Sequence, residues 1–283
     1  MISTSQAIAE PQANQIKLVA LDLDGTLLRS DKRLSKRAVE AIRETRRRGV
    51  RVVIASARPP RSVREIYEHL ELDDVQVNYN GALIYDQLRR RNLYHRPLEA
   101  NLVKRIVKVA RRADRKLVVS VEILDKWYTD HFDESLPTET SLKFFPDFVG
   151  PLESFVHIPA TKLLLLAPPK RLEKVTKTIH AKFGPMIGMA VSDKHLLQIV
   201  HPRVDKGRAI SKIARKYGVA RQQVMAIGDA PNDRQMLKWA GLGVAVENAW
   251  PTVREAADVI VPSNDDDGVV VALEKFVLDA RSG

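Results

Sequence analysis

Ile16-Lys17-Leu18-Val19-Ala20-Leu21-Asp22-Leu23-Asp24-Gly25-Thr26 begins as a mostly apolar run of strand length and ends in a turn that carries two carboxylates. A short run of this kind, bounded by an Asp-Gly turn, reads as a strand buried on both faces, the situation of strands in a parallel sheet. Asp22 and Asp24 stand two positions apart, so at a strand end both can approach one site while Gly25 lets the chain turn away.

Reading outward, Ser35 begins a helix whose apolar residues Ala38, Val39, Ala41 and Ile42 share a face, and Gly49 closes it after Arg46-Arg47-Arg48. Val50 to Ser56 is a second apolar strand, and Pro59 to Leu70 a second helix with proline in its first turn. Strand, helix, strand, helix implies a βαβ unit with a right-handed crossover. From Gln87 the pattern changes to a basic turn, a helix from about Leu98 to Arg112, short strands with hairpin character, a loop rich in Pro, Glu and Phe, and a helix from Lys170 to Phe183. After Pro202 the alternation resumes: helix Lys206 to Tyr217, strand Val224 to Ile227, helix Asn232 to Ala240, strand Gly243 to Val246, and a last helix from Gly268 to Leu278. The expected fold class is α/β, a Rossmann-like parallel sheet core with helices on both faces, plus an inserted α+β cap domain. The expected bounds are a flexible leader over 1–15, a core from 16–86 and 201–283, and an insert over 87–200.

The 283 residues are enough for two domains, and 45% hydrophobic with 29% charged residues is the composition of a globular protein. With no cysteine, disulfides, thiolate metal sites and cysteine nucleophiles are excluded. No apolar run approaches the roughly 20 residues that span a bilayer, and the start of the chain lacks the basic and apolar regions of a secretory signal, so a cytoplasmic protein with no membrane partner is expected. The formal charge of +11 raises nucleic-acid binding as a question. Residues 87–200 hold 20 Lys and Arg against 12 Asp and Glu, so most of the excess sits in the insert. Its patches, Arg89-Arg90-Arg91 and Arg111-Arg112, fall at a turn and a helix end, where solvated cations are usual. A basic insert that attracts anionic substrates explains the charge at least as well, and nucleic acid is not the expected partner.

Ligands of open parallel sheets bind beyond the carboxyl ends of the strands, so polar residues that end apolar strands are the ones to inspect. Four groups meet this condition: Asp22 to Thr26, Ser56-Ala57-Arg58, Lys206-Gly207 at a helix start, and Gly228-Asp229-Ala230-Pro231-Asn232-Asp233. Asp22 and Asp24 repel each other unless a cation lies between them, and Asp229 offers a third carboxylate from the other half of the sheet. An oxygen donor set without thiolates suits Mg²⁺. Lys206 and Ser56 offer the cation and hydroxyl that phosphoryl oxygens require. Each group alone also reads as an ordinary turn, cap or helix start. Their joint occurrence in this order is what carries the site.

The motifs Leu21-Asp22-Leu23-Asp24-Gly25-Thr26-Leu27-Leu28, Ala55-Ser56-Ala57-Arg58, Asn80-Gly81-Ala82, Val204-Asp205-Lys206-Gly207 and Gly228-Asp229-Ala230-Pro231-Asn232-Asp233 together resemble those of haloacid-dehalogenase-superfamily phosphatases. The resemblance is to the Cof-like branch with a large α/β cap, and it spans Ile16 to Leu278. It implies Asp22 as a nucleophile that becomes an aspartyl-phosphate, Asp24 as the acid and base, and Lys206 as the balancing cation. It implies Mg²⁺ held by Asp22, the Asp24 carbonyl and Asp229, with Asp233 as a further ligand or an orienter of Lys206. Ser56, Ala57 and Asn232 would bind phosphate oxygens, and Arg58 and Asn80 would face the substrate. The implied partner is a small phosphorylated metabolite: a sugar phosphate, a nucleotide or a phosphorylated cofactor. A phosphomutase, or a non-catalytic regulator that binds a phosphometabolite or nucleic acid, is the alternative. Either a monomer or a homodimer is compatible with the sequence. Two departures stand out: Ser56-Ala57 replaces the common Thr-Gly, and Glu247 in Val246-Glu247-Asn248-Ala249 stands where glycine is common.

Overall fold

The computed structural model describes residues 16–138 and 140–279; the leader expected over 1–15 lies outside them. The chain divides into two compact units, one running to Ile54 with His69–Leu72 and everything from Ile210, the other made of Ala55–Glu68 and Asp73–Ala209.

The first unit is built on a five-stranded parallel sheet. Its centre is β1 (Leu18–Leu21), paired on one side with β2 (Arg51–Ile54) and on the other with β12 (Val224–Gly228), followed outward by β13 (Leu242–Val246) and β14 (Val259–Val261). All residues of β1, β12 and β13 are buried, as their unbroken apolar composition requires. The chain leaves β1 toward β2 and later returns on the opposite side through β12, so β1 and β12 flank the point where strand order reverses. Helix α1 (Lys36–Arg47) is capped by Ser35, whose hydroxyl accepts from the Ala38 N–H at 3.0 Å, and it buries Ala38, Val39, Ala41, Ile42 and Thr45. It packs on β2 and on α8 (Gly268–Leu273), while α6 (Arg234–Trp239) lies against β12 and β13.

The second unit carries a six-stranded sheet in the order β10 (Gly188–Asp193), β11 (Leu196–Val200), β9 (Lys162–Leu166), β6 (Val118–Ile123), β7 (Lys126–Thr129), β8 (Phe148–Val149), antiparallel except for the last pair. Alternation along β6 and β9 sends Val119, Val121, Leu163 and Leu165 to one face, where they form a core with Val103, Ile106 and Ala110 of α3 (Ala100–Ala113) and Leu172, Val175 and Ile179 of α4 (Pro169–Phe183). The other face holds Val118, Leu164, Leu166 and Leu196 at one end and polar side chains at the other. A smaller antiparallel sheet joins β3 (Gln76–Asn78), β4 (Leu83–Asp86) and β5 (Arg91–His95).

Several elements differ from their sequence reading. The strand expected to reach Ser56 ends at Ile54; beyond it Ala55 makes an isolated bridge to Val77, and the Ser56 N–H donates to the Val77 carbonyl at 2.9 Å. The helix expected from Asn232 starts at Arg234, because the Asp233 N–H closes a turn onto the Ala230 carbonyl at 2.8 Å. The β4–β5 hairpin shows in the sequence only as a basic turn, since β5 is mostly polar, exposed or half-buried throughout, and lacks an alternating apolar signature. In the loop rich in Pro, Glu and Phe, Phe145 and Phe148 are exposed.

Candidate active site

Asp22 follows the last residue of β1, and its N–H continues the sheet by donating to the Ile227 carbonyl of β12 at 3.1 Å. Asp229 follows β12 directly. The two carboxylates therefore leave adjacent parallel strands at the same end. Asp233, one turn further on, completes the group: one oxygen from each of Asp22, Asp229 and Asp233 lies within 4.8 Å of the other two, and all three residues are buried.

Local chemistry holds this trio in place. Asp233 Oδ2 accepts from the N–H groups of Asp229 and Ala230 at 3.1 and 3.0 Å, so its carboxylate shapes the turn that presents Asp229. The Thr26 hydroxyl donates to Asp229 Oδ1 at 2.7 Å. Gly25 has φ +80, and a Cβ there would stand 2.5 Å from Asp229 Oδ2, so a side chain at this position would drive the carboxylate out. A Cβ on Gly228 would likewise stand 2.5 Å from the Asp233 Cβ. Both glycines are needed for close approach, and Gly25 for its left-handed turn as well.

Three buried carboxylates at this separation repel one another in low dielectric, and the arrangement becomes favourable when a hard cation lies among them. The donor set therefore fits Mg²⁺: oxygen only, partly anionic, and free of softer ligands. The Asp24 side chain is not part of the trio. It is partly exposed, and Lys32 Nζ lies 2.8 Å from its Oδ1.

Other predicted residues gather in the second unit. Ser56 is buried, and its Oγ accepts from the Arg58 N–H at 3.1 Å. The Asn80 N–H donates to the Ser56 carbonyl at 3.0 Å, and Asn78 Nδ2 donates to the Arg58 carbonyl at 3.1 Å, so the Ser56-Ala57-Arg58 and Asn80-Gly81-Ala82 motifs form one bonded loop pair. Gly81, at φ +104, packs so closely on the third motif that a Cβ would stand 2.5 Å from the Asp205 carbonyl oxygen. Lys206 next to it is fully buried and opens α5 (Lys206–Lys216), where the preceding Asp205 carboxylate accepts from the Arg208 N–H at 2.7 Å. Asn232 is exposed in the turn before α6.

Two residues that support the site escaped the sequence reading. Asn248 Nδ2 donates to the Gly25 carbonyl at 2.8 Å, and its Oδ1 accepts from the Asn264 N–H at 3.0 Å. Asn264 Nδ2 in turn donates to the Leu28 carbonyl at 2.8 Å. Asn248 follows the end of β13, and inspection of polar residues at strand ends, applied to every strand, would have singled it out. The Trp250 N–H also donates to the Asp229 carbonyl at 2.9 Å, so the loop carrying Glu247 is bonded to the carboxylate turn.

The chain resembles known proteins over nearly its whole length. The family model of haloacid dehalogenase-like hydrolases matches residues 19–273. A protein of Streptococcus pyogenes serotype M6 is 33% identical over 275 residues, covering 93% of this chain and 99% of its own. The 5-amino-6-(5-phospho-D-ribitylamino)uracil phosphatase of Bacillus subtilis is 30% identical over 262 residues, covering 92% and 97%. A haloacid dehalogenase-like hydrolase from Bacteroides thetaiotaomicron superimposes with a TM-score of 0.84 at 29% identity, covering 92% of this chain and 99% of its own. The chain belongs to the haloacid dehalogenase-like hydrolase family, in its Cof-like phosphatase branch.

Proposed function

We propose that the protein is a Mg²⁺-dependent phosphatase of a small phosphorylated metabolite and that Asp22 is its nucleophile. The observation that carries this reading is the buried trio Asp22, Asp229 and Asp233 at the ends of adjacent strands. Asp22, the Asp24 carbonyl, Asp229 and Asp233 would hold the cation. Bound there, Mg²⁺ supplies positive charge that offsets the negative charge of the phosphoryl group.

The chain's own groups do the rest. An oxygen of the Asp22 carboxylate forms a bond to phosphorus as the bond from phosphorus to the leaving oxygen breaks, giving an aspartyl-phosphate. Asp24 donates its proton to that leaving oxygen. In the second half it takes a proton from the water whose oxygen bonds to phosphorus as the bond from phosphorus to the Asp22 oxygen breaks, releasing inorganic phosphate and restoring the Asp22 carboxylate. Thr26 and the Asp233 carboxylate keep Asp229 in position throughout. Roles for Ser56, Ala57 and Asn232 on phosphate oxygens, for Arg58 and Asn80 on the substrate and for Lys206 as the balancing cation rest on the motifs and their order. We place the inserted cap at 87–200, the stretch that contains the whole six-stranded sheet with α3 and α4.

The relative from Bacillus subtilis acts on a phosphate ester of a ribityl chain, which makes phosphorylated polyols and sugars the first candidates, ahead of nucleotides and phosphorylated cofactors. Phosphate release from such a panel, with and without Mg²⁺ and with Asp22→Asn alongside, tests the reading. Release that requires Mg²⁺ and vanishes in the variant is expected. Release that survives in Asp22→Asn removes Asp22 as nucleophile.

A further inference from the structure

The second unit holds a cleft of about 400 Å³ between α3 and the loop that follows β8. Its floor is apolar: Val107 and Val156 are buried members of the core under α3, and the half-buried Leu152 packs against the same core. Its rim is polar, with Lys104, Lys108 and Arg111 from α3 facing Glu153 and His157 from the loop. Positions four and three apart on a helix share one stripe, so the three cations stand in a row along the cleft. None of these residues belongs to the carboxylate trio, which lies in the other unit.

Both walls are held in place. The loop turns at Leu152–Ser154, where the Leu152 carbonyl accepts from the N–H groups of Phe155 and Val156 at 3.1 and 2.9 Å. The Phe155 ring is fully buried against Tyr128 and Phe148, with centroids 6.0 and 6.2 Å away, and His157 Nδ1 donates to the Glu153 carbonyl at 3.0 Å. On the helix side the Arg111 guanidinium is paired with the Asp130 carboxylate and donates to the Arg115 carbonyl at 2.7 Å. Arg111 is therefore fixed and its charge is offset. Lys104 and Lys108 differ: both are exposed, and among the described residues neither has a carboxylate within 4.0 Å. Against the single Glu153 carboxylate, the two ammoniums leave the rim with one net positive charge above an apolar floor.

We propose that this cleft is a second ligand site, for a small amphipathic carboxylate whose apolar body lies on Val107, Leu152 and Val156 and whose head sits between the Lys104 and Lys108 ammoniums. The inference goes beyond the phosphatase reading and does not depend on it. The volume falls in the range of small-molecule pockets, about 300 to 1,000 Å³, and a concave apolar surface with a few converging polar groups is what such pockets share. The long lysine stems cover apolar surface while their heads stay in water, so both parts of the ligand meet a matching part of the same two side chains. One net positive charge selects a monoanion, and preformed walls spare the cost of ordering the loop on binding.

The test is calorimetric titration of the full chain with decanoate, with butyrate as a head lacking the body and decyltrimethylammonium as the body with the opposite charge. Decanoate is expected to bind at one site per chain, butyrate at least about 100-fold more weakly, and the cation not at all. Lys104→Gln/Lys108→Gln, a change of two exposed side chains, is expected to weaken decanoate by about tenfold, and Leu152→Asp to abolish its binding. Lys170→Gln/Lys174→Gln, which removes as much charge from the exposed face of α4, is expected to leave it unchanged. Equal weakening by both lysine pairs marks general attraction of anions and overturns the proposal, as does equal binding of decyltrimethylammonium or no decanoate binding at all. A dimer in sedimentation that Leu152→Asp dissociates and decanoate does not would assign the cleft to a second copy of the chain and overturn it equally.

Discussion

The Thr26 hydroxyl donates to Asp229 Oδ1 at 2.7 Å, joining two turns that stand 203 residues apart in the chain. The bond is buried and leaves Asp229 Oδ2 as the oxygen that faces the Gly25 backbone. Partners of this kind orient a metal-binding carboxylate, and their loss typically weakens metal affinity by about 10- to 100-fold. Thr26→Val is therefore expected to raise the Mg²⁺ concentration needed for half-maximal phosphate release by that factor, and Thr26→Ser to restore it. An unchanged Mg²⁺ requirement in Thr26→Val would separate this hydroxyl from the metal site.

Gly25 sets a sterically stricter condition. An added Cβ meets Asp229 Oδ2 at 2.5 Å on a backbone of φ +80. Gly25→Ala is expected to lower turnover by about 100-fold, since displacement of a site group by about 1 Å has that effect. The left-handed conformation adds about 1 to 2 kcal/mol of destabilisation. Turnover and a denaturant midpoint measured on the same sample separate the two consequences.

Much of this is legible in the sequence, for a physical reason. β1 and β12 are unbroken apolar runs that end in carboxylates, and such runs have few alternatives to a buried parallel sheet. The glycines that follow or precede them mark close approach. What escaped notice was carried by features without a local signature. The bonds of Asn248 to Gly25 and of Asn264 to Leu28 are long-range: the strand-end position of Asn248 marks it as a candidate, but no local pattern names its partner or picks out Asn264. β5 is mostly polar and exposed or half-buried, so it leaves no apolar signature, and the expected strand overruns β2 because Ala55 continues its apolar composition without its pairing.

The second unit offers a pH test. The Arg171 guanidinium donates to both oxygens of Asp114, at 2.6 and 2.7 Å, and the Lys116 N–H adds a third bond at 2.9 Å. The bonds from Arg171 foremost hold the Asp114 carboxyl below its ordinary range. A carboxylate whose native pKa is depressed contributes stability that is present above its unfolded value, about 3.9, and is lost as pH falls through the native one. Asp114→Asn is expected to melt at a lower temperature than wild type at neutral pH, with the gap closing as pH falls below about 4. A gap that persists unchanged well below that pH, where the carboxylate is protonated in wild type, would show that its charge contributes nothing.

Phe183 ends α4 and is fully buried in the core shared with α3 and the six-stranded sheet. Phe183→Ala removes an aromatic ring from a close-packed interior and is expected to destabilise the protein by about 3 to 5 kcal/mol. Chemical denaturation followed by tryptophan fluorescence reads it, with Trp127 of β7 as a reporter in the same unit. A loss below about 1 kcal/mol would mean that the core closes around the space left.

The central claim is that Asp22 carries the phosphoryl group, and the most direct measurement is mass spectrometry of peptides from enzyme quenched in acid during turnover of a phosphate ester with Mg²⁺. The account predicts a phosphoryl adduct on the peptide containing Asp22, absent without Mg²⁺ and absent in Asp22→Asn. An adduct on another residue, or an unmodified Asp22 peptide in single-turnover samples that release phosphate, would contradict it.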